Sequence, residues 1–371
     1  MPKTIKRVLL VLAALLAVLL LTVGGYVLYM QSQYYRIPDH TALAVEGTPS
    51  AAGPLAAGQD YTAMTYNVGF GAYGPEYSFF MDTGVMADGT KVAGKYGKAI
   101  SRESVQQHTD GALAVLAAQD TDFALLQEVD EDADRSYHID QRTLLTAARG
   151  DYGAVFANNF HSAYLFYPFN DPHGAVEAGL LTFSRYPVAV AERRSYPVDG
   201  SFFIKFTDLD RCFAVLRLPV ENGKELVLIN SHMSAYDEGG TVRAAQLALL
   251  NSVLTEEYEK GNYVVVGGDF NHALGEAAPT AFPSGQQFPG WVFQLTDKDL
   301  APHFSIVTAD NETQVPTCRT ADIPWQKGVN YVTNVDGFLV SDNVTARAEN
   351  VDTDFAYSDH NPVRLTFSLN P

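Results

Sequence analysis

The sequence predicts an α/β protein in which mixed sheets pack together and helices cover the outer faces. Most predicted elements are short apolar strands, and the order strand, long helix, strand occurs twice. Four predicted strands have a functional polar side chain at their C-terminal end. Two others have one at their N-terminal end. If these polar groups share one edge, the last two strands run opposite to the others, which predicts mixed or antiparallel sheets.

The composition and charge narrow the class of protein. The 371 residues are 47% hydrophobic and 18% charged, as in a globular protein, and the formal net charge is −18. Because non-specific affinity for nucleic acid comes mostly from Lys and Arg, we do not expect a nucleic-acid partner, and no protein partner is predicted. The sequence has only two cysteines, Cys212 and Cys318, which excludes a disulfide framework and cysteine-rich metal sites. Either one disulfide or two free thiols would be compatible with this number.

An apolar run at the N-terminus predicts a membrane anchor. Lys3, Lys6 and Arg7 precede an uncharged segment, residues 8–30, and a helix that crosses a bilayer needs roughly 20 residues. The basic tail, residues 1–7, is expected to stay in the cytoplasm, which places the rest of the chain outside. The alternative is a cleaved signal peptide, although no Ala-x-Ala site follows the run.

The remaining chain is predicted to consist of a linker and one catalytic domain. Residues 31–59 contain three prolines and no sustained apolar periodicity, which is typical of a linker. Residues 60–371 show no comparable break, and within them the glycine-rich residues 82–97 predict an extended surface loop. The two strand–helix–strand units are predicted at 61–68, 101–119 and 122–127, and at 225–230, 241–260 and 263–267.

Polar side chains mark the ends of these strands. Asn67 and Glu128 follow the two strands of the first unit, and His232 and Asp269 follow those of the second. Each group alone is typical of a turn or a solvated loop. Further along the chain, Asp336 and the pair Asp359-His360 precede apolar strands, and Asn271 lies two residues beyond Asp269. The coincidence of six such segments favours a single site.

These residue types suit the hydrolysis of a phosphate ester. Glu128 supplies the hard oxygen that Mg²⁺ prefers, with Mn²⁺ or Ca²⁺ as alternatives, and Asn67 ligates or orients that ion. Asp269 is expected to activate the attacking water, and Asn271 to donate to a phosphoryl oxygen. No zinc-peptidase His-Glu-x-x-His, serine-hydrolase Gly-x-Ser-x-Gly or P-loop motif occurs.

The histidines complete this chemistry. His360, oriented by Asp336, is expected to stabilise the charge of the pentavalent state. His232 does the same from the other side or protonates the leaving oxygen.

The ordered motifs resemble the endonuclease/exonuclease/phosphatase family, over residues 61 to the C-terminus. The resemblance implies a four-layer α/β sandwich, with two mixed, largely antiparallel sheets face to face and helices outside, and Mg²⁺-dependent hydrolysis. The motifs are Thr65-Tyr66-Asn67, Gln127-Glu128-Val129-Asp130, residues 179–187, Ser231-His232-Met233, Gly267-Gly268-Asp269-Phe270-Asn271, residues 335–341 and Ser358-Asp359-His360.

The resemblance also implies roles for these residues. Glu128 becomes the principal metal ligand, Asn67 a partner at the metal site and Asp359 a second acid on the metal side. The water-activating and phosphate-orienting pair is then Asp269 with Asn271, the dyad is Asp336 with His360, and His232 is the other catalytic histidine.

Two further residues are predicted substrate contacts. Arg135 is a candidate phosphate ligand, with a surface ion pair to Asp132 or Asp134 as the alternative. His173 lies in the aromatic segment 160–178, which either shapes a substrate pocket or a membrane-facing rim, or packs as an ordinary loop.

The predicted function is hydrolysis of a small-molecule or lipid phosphate at the outer membrane surface. An extracellular nuclease is the alternative within enzymes, and it requires a basic groove despite the negative net charge. A binding module on an inactive scaffold is the alternative outside enzymes. That hypothesis predicts the loss of Glu128, Asp269 or His360, and all three are present.

Overall fold

The computed structural model describes residues 2–202, 204–235, 240–276 and 278–371. Two seven-stranded sheets pack face to face, and helices cover their outer surfaces. The helices of the described part are Lys3–Gln33, Arg102–Gln119, Gln141–Ala147 and Thr241–Glu259.

The sheets are mixed and largely antiparallel, as predicted. In spatial order, the first sheet contains Val344–Asn350, Val363–Leu369, Asp60–Asn67, Phe123–Ala133, Gly174–Ser184, Gly153–Leu165 and Val45–Gly47. The second sheet contains Thr41–Ala42, Val190–Ser195, Cys212–Pro219, Glu225–His232, Tyr263–Asp269, Asp336–Ser341 and Phe304–Ile306. Short two-stranded sheets are formed by Thr83–Val85 with Lys91–Ala93, Ala273–Leu274 with Gln294–Leu295, and Cys318–Arg319 with Val332–Thr333.

Each sheet holds one parallel pair, and these pairs are the two predicted strand–helix–strand units. Asp60–Asn67 pairs in parallel with Phe123–Ala133, and helix Arg102–Gln119 connects them. Glu225–His232 pairs in parallel with Tyr263–Asp269, and Thr241–Glu259 is the connecting helix. The carboxyl ends of each parallel pair lie at one edge, which is why the polar residues after them can meet.

Alternation along the strands produces the layers. In the first sheet, Ala63 and Leu125 point into the core between the sheets, whereas Met64 and Leu126 pack against the helices. The second sheet repeats this arrangement, and its outer face packs on helix Thr241–Glu259. A fully buried leucine contributes about 1.5–3 kcal/mol to folding, so these faces fix the register of both sheets. The predicted four-layer sandwich is confirmed.

The segment predicted as a linker is largely packed into the domain. Thr41–Ala42 extends the second sheet by pairing with Val190–Ser195. Val45–Gly47 extends the first sheet, and Leu55 is fully buried between the sheets. These edge strands contain only two or three residues, which is too few for alternation of apolar and polar residues to be recognised in the sequence.

One local expectation is corrected, and one alternative that the sequence left open is decided. Residues 82–97 contain an antiparallel hairpin of Thr83–Val85 with Lys91–Ala93 instead of an irregular loop. Cys212 and Cys318 are free thiols, so the disulfide left open by the sequence is not formed.

The N-terminal helix is longer than the predicted anchor, because it runs over Lys3–Gln33. By length and composition it is able to cross a membrane, and among the described helices it alone meets that test. Its apolar side chains from Val8 to Val23 are exposed.

Candidate active site

Polar side chains from both sheets meet at one end of the sandwich. Asn67 Nδ2 donates to Glu128 Oε1 at 3.2 Å and to Asp269 Oδ2 at 3.0 Å. His232 Nε2 lies 3.5 Å from Asp269 Oδ2 and 3.9 Å from Glu128 Oε1. The four strands that were predicted to end in these residues therefore deliver them to one cluster.

Strand register aligns three of the residues in the second sheet. His232 and Asp269 are Cα partners in the parallel pair, and Asp269 and Asp336 are Cα partners in the antiparallel pair beside it. Asp336 starts its strand, as expected for a polar group that precedes an apolar run. A single row across the sheet thus carries an imidazole and two carboxylates.

His360 joins this row from the first sheet. Its Nδ1 lies 2.7 Å from Asp336 Oδ2, and its Nε2 lies 3.8 Å from Asp269 Oδ2. Ser358 Oγ donates to Asn67 O at 2.8 Å and accepts from the backbone N–H of His360. The serine ties the loop that carries His360 to the end of strand Asp60–Asn67.

A bulge turns Glu128 toward the site. Glu128 has a positive φ of 56°, and the pairing of its strand with Gly174–Ser184 shifts between Leu126 and Val129. The preceding Gln127 is fully buried, whereas Glu128 keeps 24% of its side chain exposed. The bulge therefore separates a core residue from a site residue at adjacent positions.

The two glycines before Asp269 allow close packing at the base of the site. A Cβ on Gly268 would lie 2.0 Å from Ser231 O, and one on Gly267 would lie 2.5 Å from the Phe338 ring. Any side chain at these positions would push strand Tyr263–Asp269 away from its neighbours.

The two histidines have opposite electrostatic environments. Burial and the positive charge of Arg211 hold the pKa of His232 well below its usual value. For His360, burial lowers the pKa, but the surrounding acidic groups, Asp336 foremost, together outweigh it and raise the pKa well above the usual value. Burial in turn raises the pKa of Asp336 to about 6 and that of Asp359 to about 7.

The residues at the centre fit a divalent cation. Glu128 offers a partly exposed carboxylate, and the Oδ1 atom of Asp336 is buried without a hydrogen-bond partner in the described part of the chain. Ligand atoms of Asp269, Asp336 and His360 all lie within 4.8 Å of one another. Carboxylate oxygens are the preferred ligands of Mg²⁺ and Mn²⁺. Asp336 already binds His360, and the roles predicted for Glu128 as the metal ligand and for Asn67 beside it stay predictions.

Asn271 and Asp359 lie at the margin of this cluster. The backbone N–H of Asn271 donates to Asp269 Oδ1, whereas its side-chain Nδ2 donates to Met233 O, both at 2.9 Å. Asp359 precedes His360 and contacts Ser358 Oγ at 3.3 Å. The roles predicted for these two side chains, in phosphate orientation and metal binding, stay predictions.

Arg135 and His173 have protein partners that the sequence did not predict. Arg135 is buried, donates through Nε and Nη2 to Asp130 at 3.1 and 2.7 Å, and stacks over Phe70 at 3.9 Å. The predicted alternative, a surface ion pair with Asp132 or Asp134, is wrong.

His173 is also buried, and its Nδ1 lies 2.5 Å from Gly97 O. Burial lowers its pKa to about 3. Arg135 and His173 therefore hold the loops that border the cluster, and a direct contact of either with substrate stays a prediction.

Two residues near the histidines gave no signal in the sequence. Arg211 is 5% exposed, and its Nε and Nη1 atoms have no hydrogen-bond partner among the described residues. It precedes strand Cys212–Pro219, whose pairing with Glu225–His232 brings it to the end where His232 lies. Cys318 Sγ lies 3.8 Å from His360 Nε2, and burial raises the pKa of this thiol to about 12.

The sequence profile described as the Endonuclease/Exonuclease/phosphatase family matches residues 64–360. The chain belongs to this family. It is therefore a member of a family of phosphoesterases, as the ordered motifs predicted.

Similar proteins of this family include one curated enzyme. The chain is 23% identical, over 291 residues, to an inositol phosphosphingolipids phospholipase C of Schizosaccharomyces pombe. The match covers 68% of this chain and 62% of that relative, so the chain spans less than two thirds of its length.

Solved structures share the fold at lower identity. A truncated TDP2 of Caenorhabditis elegans superposes with a TM-score of 0.52 at 14% identity, over 84% of this chain and 99% of that one. ANGEL2, a 2′,3′-cyclic phosphatase, gives a TM-score of 0.52 at 15% identity, over 89% and 99%. An endonuclease/exonuclease/phosphatase from Beutenbergia cavernae gives 0.51 at 18% identity, over 84% and 72%.

Proposed function

We propose that this chain is a divalent-metal-dependent hydrolase that cleaves a small-molecule or lipid phosphate ester at the outer surface of a membrane. The observation that carries the proposal is the approach of two imidazoles to one carboxylate. The Nε2 atoms of His232 and His360 lie 3.5 and 3.8 Å from Asp269 Oδ2, and Glu128 stands beside them. Such a set serves in-line displacement at phosphorus.

Each side chain has a defined task in this proposal. Asp269 accepts the proton of the attacking water, since Asn67, His232 and His360 all approach its Oδ2 atom. His360, held by Asp336, donates a hydrogen bond to a phosphoryl oxygen as negative charge builds there. His232, whose imidazole is neutral because its pKa is lowered, donates a hydrogen bond from Nε2 to the oxygen that leaves.

Glu128 and Asn67 are the residues that would hold the metal, with Asp359 as a second acid. Mg²⁺ is the proposed ion, and Mn²⁺ or Ca²⁺ are compatible with the same oxygen ligands. When bound, the ion supplies positive charge against the phosphoryl oxygens.

A lipid phosphodiester is the substrate class that the comparisons favour. The relative from Schizosaccharomyces pombe is named as a phospholipase C of inositol phosphosphingolipids. The net charge of −18 disfavours a long polyanion such as DNA, whereas one headgroup needs only local positive charge.

We also propose how the chain is organised at the membrane. Residues 60–371 form the catalytic domain together with the edge strands Thr41–Ala42 and Val45–Gly47, and helix Lys3–Gln33 is a single-pass anchor. The basic residues Lys3, Lys6 and Arg7 in the first turns of the helix favour a cytoplasmic N-terminus and therefore an extracytoplasmic domain.

The full-length chain in detergent micelles tests the proposal directly. It is assayed with a phosphomonoester, sphingomyelin, an inositol phosphosphingolipid and DNA, each with Mg²⁺ or with EDTA. We expect release of a phosphorylated headgroup with Mg²⁺ alone. Hydrolysis that persists in EDTA would contradict the metal mechanism, and cleavage of DNA alone would favour the nuclease.

A further inference from the structure

An exposed aromatic loop lies where the N-terminal helix joins the domain. The loop connects Gly153–Leu165 with Gly174–Ser184, and in it Phe166, Tyr167 and Phe169 are 50%, 62% and 84% exposed. Single exposed apolar side chains are ordinary on a soluble surface, but three within four residues leave a continuous apolar patch in water. These three residues are called the aromatic loop below.

The end of the helix is fixed to this loop. Tyr26 Oη donates to Tyr164 O at 3.0 Å, and the backbone N–H of Tyr164 donates to Tyr29 Oη at 3.2 Å. The rings of Tyr26 and Phe166 are 5.4 Å apart and perpendicular. Lys205 adds a contact from a second segment, since its Nζ donates to Gln31 at 2.8 Å. The helix therefore has a set direction relative to the domain.

The length of the helix places the loop at the level of the lipid headgroups. Residues 8–25 rise about 27 Å at 1.5 Å per residue, close to the hydrocarbon thickness of about 30 Å. Tyr26 and Tyr29 then lie at the membrane–water interface, where tyrosine is enriched. Because Tyr26 packs on Phe166 and Tyr29 binds Tyr164, two residues before Phe166, the exposed rings of the loop lie at the same depth.

Aromatic rings connect the loop to the candidate active site. Tyr167 packs on Phe80 at 5.6 Å, Phe80 on His173 at 6.0 Å, and His173 on Phe70 at 6.4 Å. Phe70 is three residues beyond Asn67. The loop and the site thus border the same group of packed rings.

We propose that the aromatic loop inserts into the headgroup layer of the membrane that holds the helix, so that the site takes its substrate lipid from that membrane. The inference rests on the proposed function and deepens it, since it names a membrane-resident lipid as the substrate. The domain carries excess negative charge, so insertion of rings, and not charge attraction, supplies the binding. Binding of the loop to the membrane is therefore insensitive to the salt concentration.

Fluorescence of the full-length chain in phosphatidylcholine vesicles tests the insertion without any need for activity. The acyl chains are brominated near their carbonyl end, so that they quench tryptophan at the interface. In a chain whose native Trp291 and Trp325 are both changed to Phe, Phe169→Trp should emit about twofold less in brominated than in plain vesicles. The matched control is Val190→Trp, which is 51% exposed in the native side chain and begins strand Val190–Ser195 at the end away from the helix. It should not be quenched.

Equal emission of Phe169→Trp in the two kinds of vesicle overturns the proposal. Failure of the full chain to sediment with vesicles overturns it as well. These outcomes do not depend on hydrolysis, so they separate this inference from the proposed function.

Hydrolysis provides the second readout. The double variant Phe166→Ser, Phe169→Ser should cleave an inositol phosphosphingolipid in vesicles about tenfold more slowly, since two apolar anchors are lost. Its rate on soluble bis(p-nitrophenyl) phosphate should not change, and Val190→Ser should leave both rates unchanged. A full rate on vesicles in the double variant contradicts the proposal.

Discussion

His232 and Asp269 occupy paired positions at the carboxyl ends of neighbouring parallel strands, and His232 Nε2 lies 3.5 Å from Asp269 Oδ2. The register alone brings them together, because the last residues of the two parallel strands are paired at one edge of the sheet. Asp336 continues the row on the next strand. The catalytic groups therefore depend on the regular part of the second sheet.

Asp269→Asn should abolish turnover, because the amide cannot accept the proton of the attacking water. The loss of a positioned base costs about 10²–10⁴-fold in rate. The comparison is kcat of Asp269→Asn with that of Asp110→Asn, which alters an exposed carboxylate on helix Arg102–Gln119. Activity retained in Asp269→Asn, with wild-type folding by circular dichroism, would remove the assignment of the base.

Asp336 and His360 should act as one unit. Asp336→Asn weakens the 2.7 Å contact that orients the imidazole, so we expect kcat to fall about 100-fold. His360→Ala should cost at least as much, and the double variant should be no worse than His360→Ala. Additive losses in this double-mutant cycle would show that the two side chains work independently.

The repeated strand–helix–strand units and their polar ends could be predicted from the sequence, because the spacing of apolar residues there matches the faces that are buried in the structure. Edge strands such as Val45–Gly47 could not, since they are too short to show alternation. The partner of Arg135 could not be predicted either. The carboxylate that binds it, Asp130, lies beyond the bulge at Glu128, and a bulge changes which face each later residue occupies.

Arg211 belongs to the part of the site that no motif indicated. A buried guanidinium whose Nε and Nη1 have no hydrogen-bond partner among the described residues is costly, so an anion near His232 should bind there. We expect Arg211→Gln to raise KM and to weaken inhibition by inorganic phosphate about tenfold. The control is Arg149→Gln, since Arg149 is also buried with two unpartnered nitrogens in the described structure but packs against Leu116 and Tyr152. Equal effects of the two substitutions would contradict this role.

The Arg217–Glu257 pair should make stability depend on pH. Arg217 donates to both carboxylate oxygens of Glu257 at 2.7 and 2.8 Å, and so joins strand Cys212–Pro219 to helix Thr241–Glu259. Burial raises the pKa of Glu257, but hydrogen bonds from Arg217, Lys260 and Asn262 outweigh it and lower the pKa from 4.5 to about 2.

Because the pKa of Glu257 is lower in the folded state, its contribution is present above pH 4.5 and is lost as the pH falls toward 2. Glu257→Gln should therefore lower the free energy of unfolding by about 2 kcal/mol at neutral pH, and by less at a pH of about 3. The measurement is urea unfolding at both pH values, with Glu256→Gln, which alters an exposed neighbour, as the control. A difference that does not change with pH would contradict the account.

Binding of Mn²⁺ to the full-length chain, followed by electron paramagnetic resonance, tests the central claim that one cation is held where the two sheets meet. We predict that the wild-type chain binds Mn²⁺ and that Glu128→Gln weakens the affinity at least about 100-fold. Glu131→Gln, three residues further along the same strand and paired with Arg142, should leave it unchanged. Equal affinity in Glu128→Gln and the wild type, or no binding by the wild type, would contradict the account.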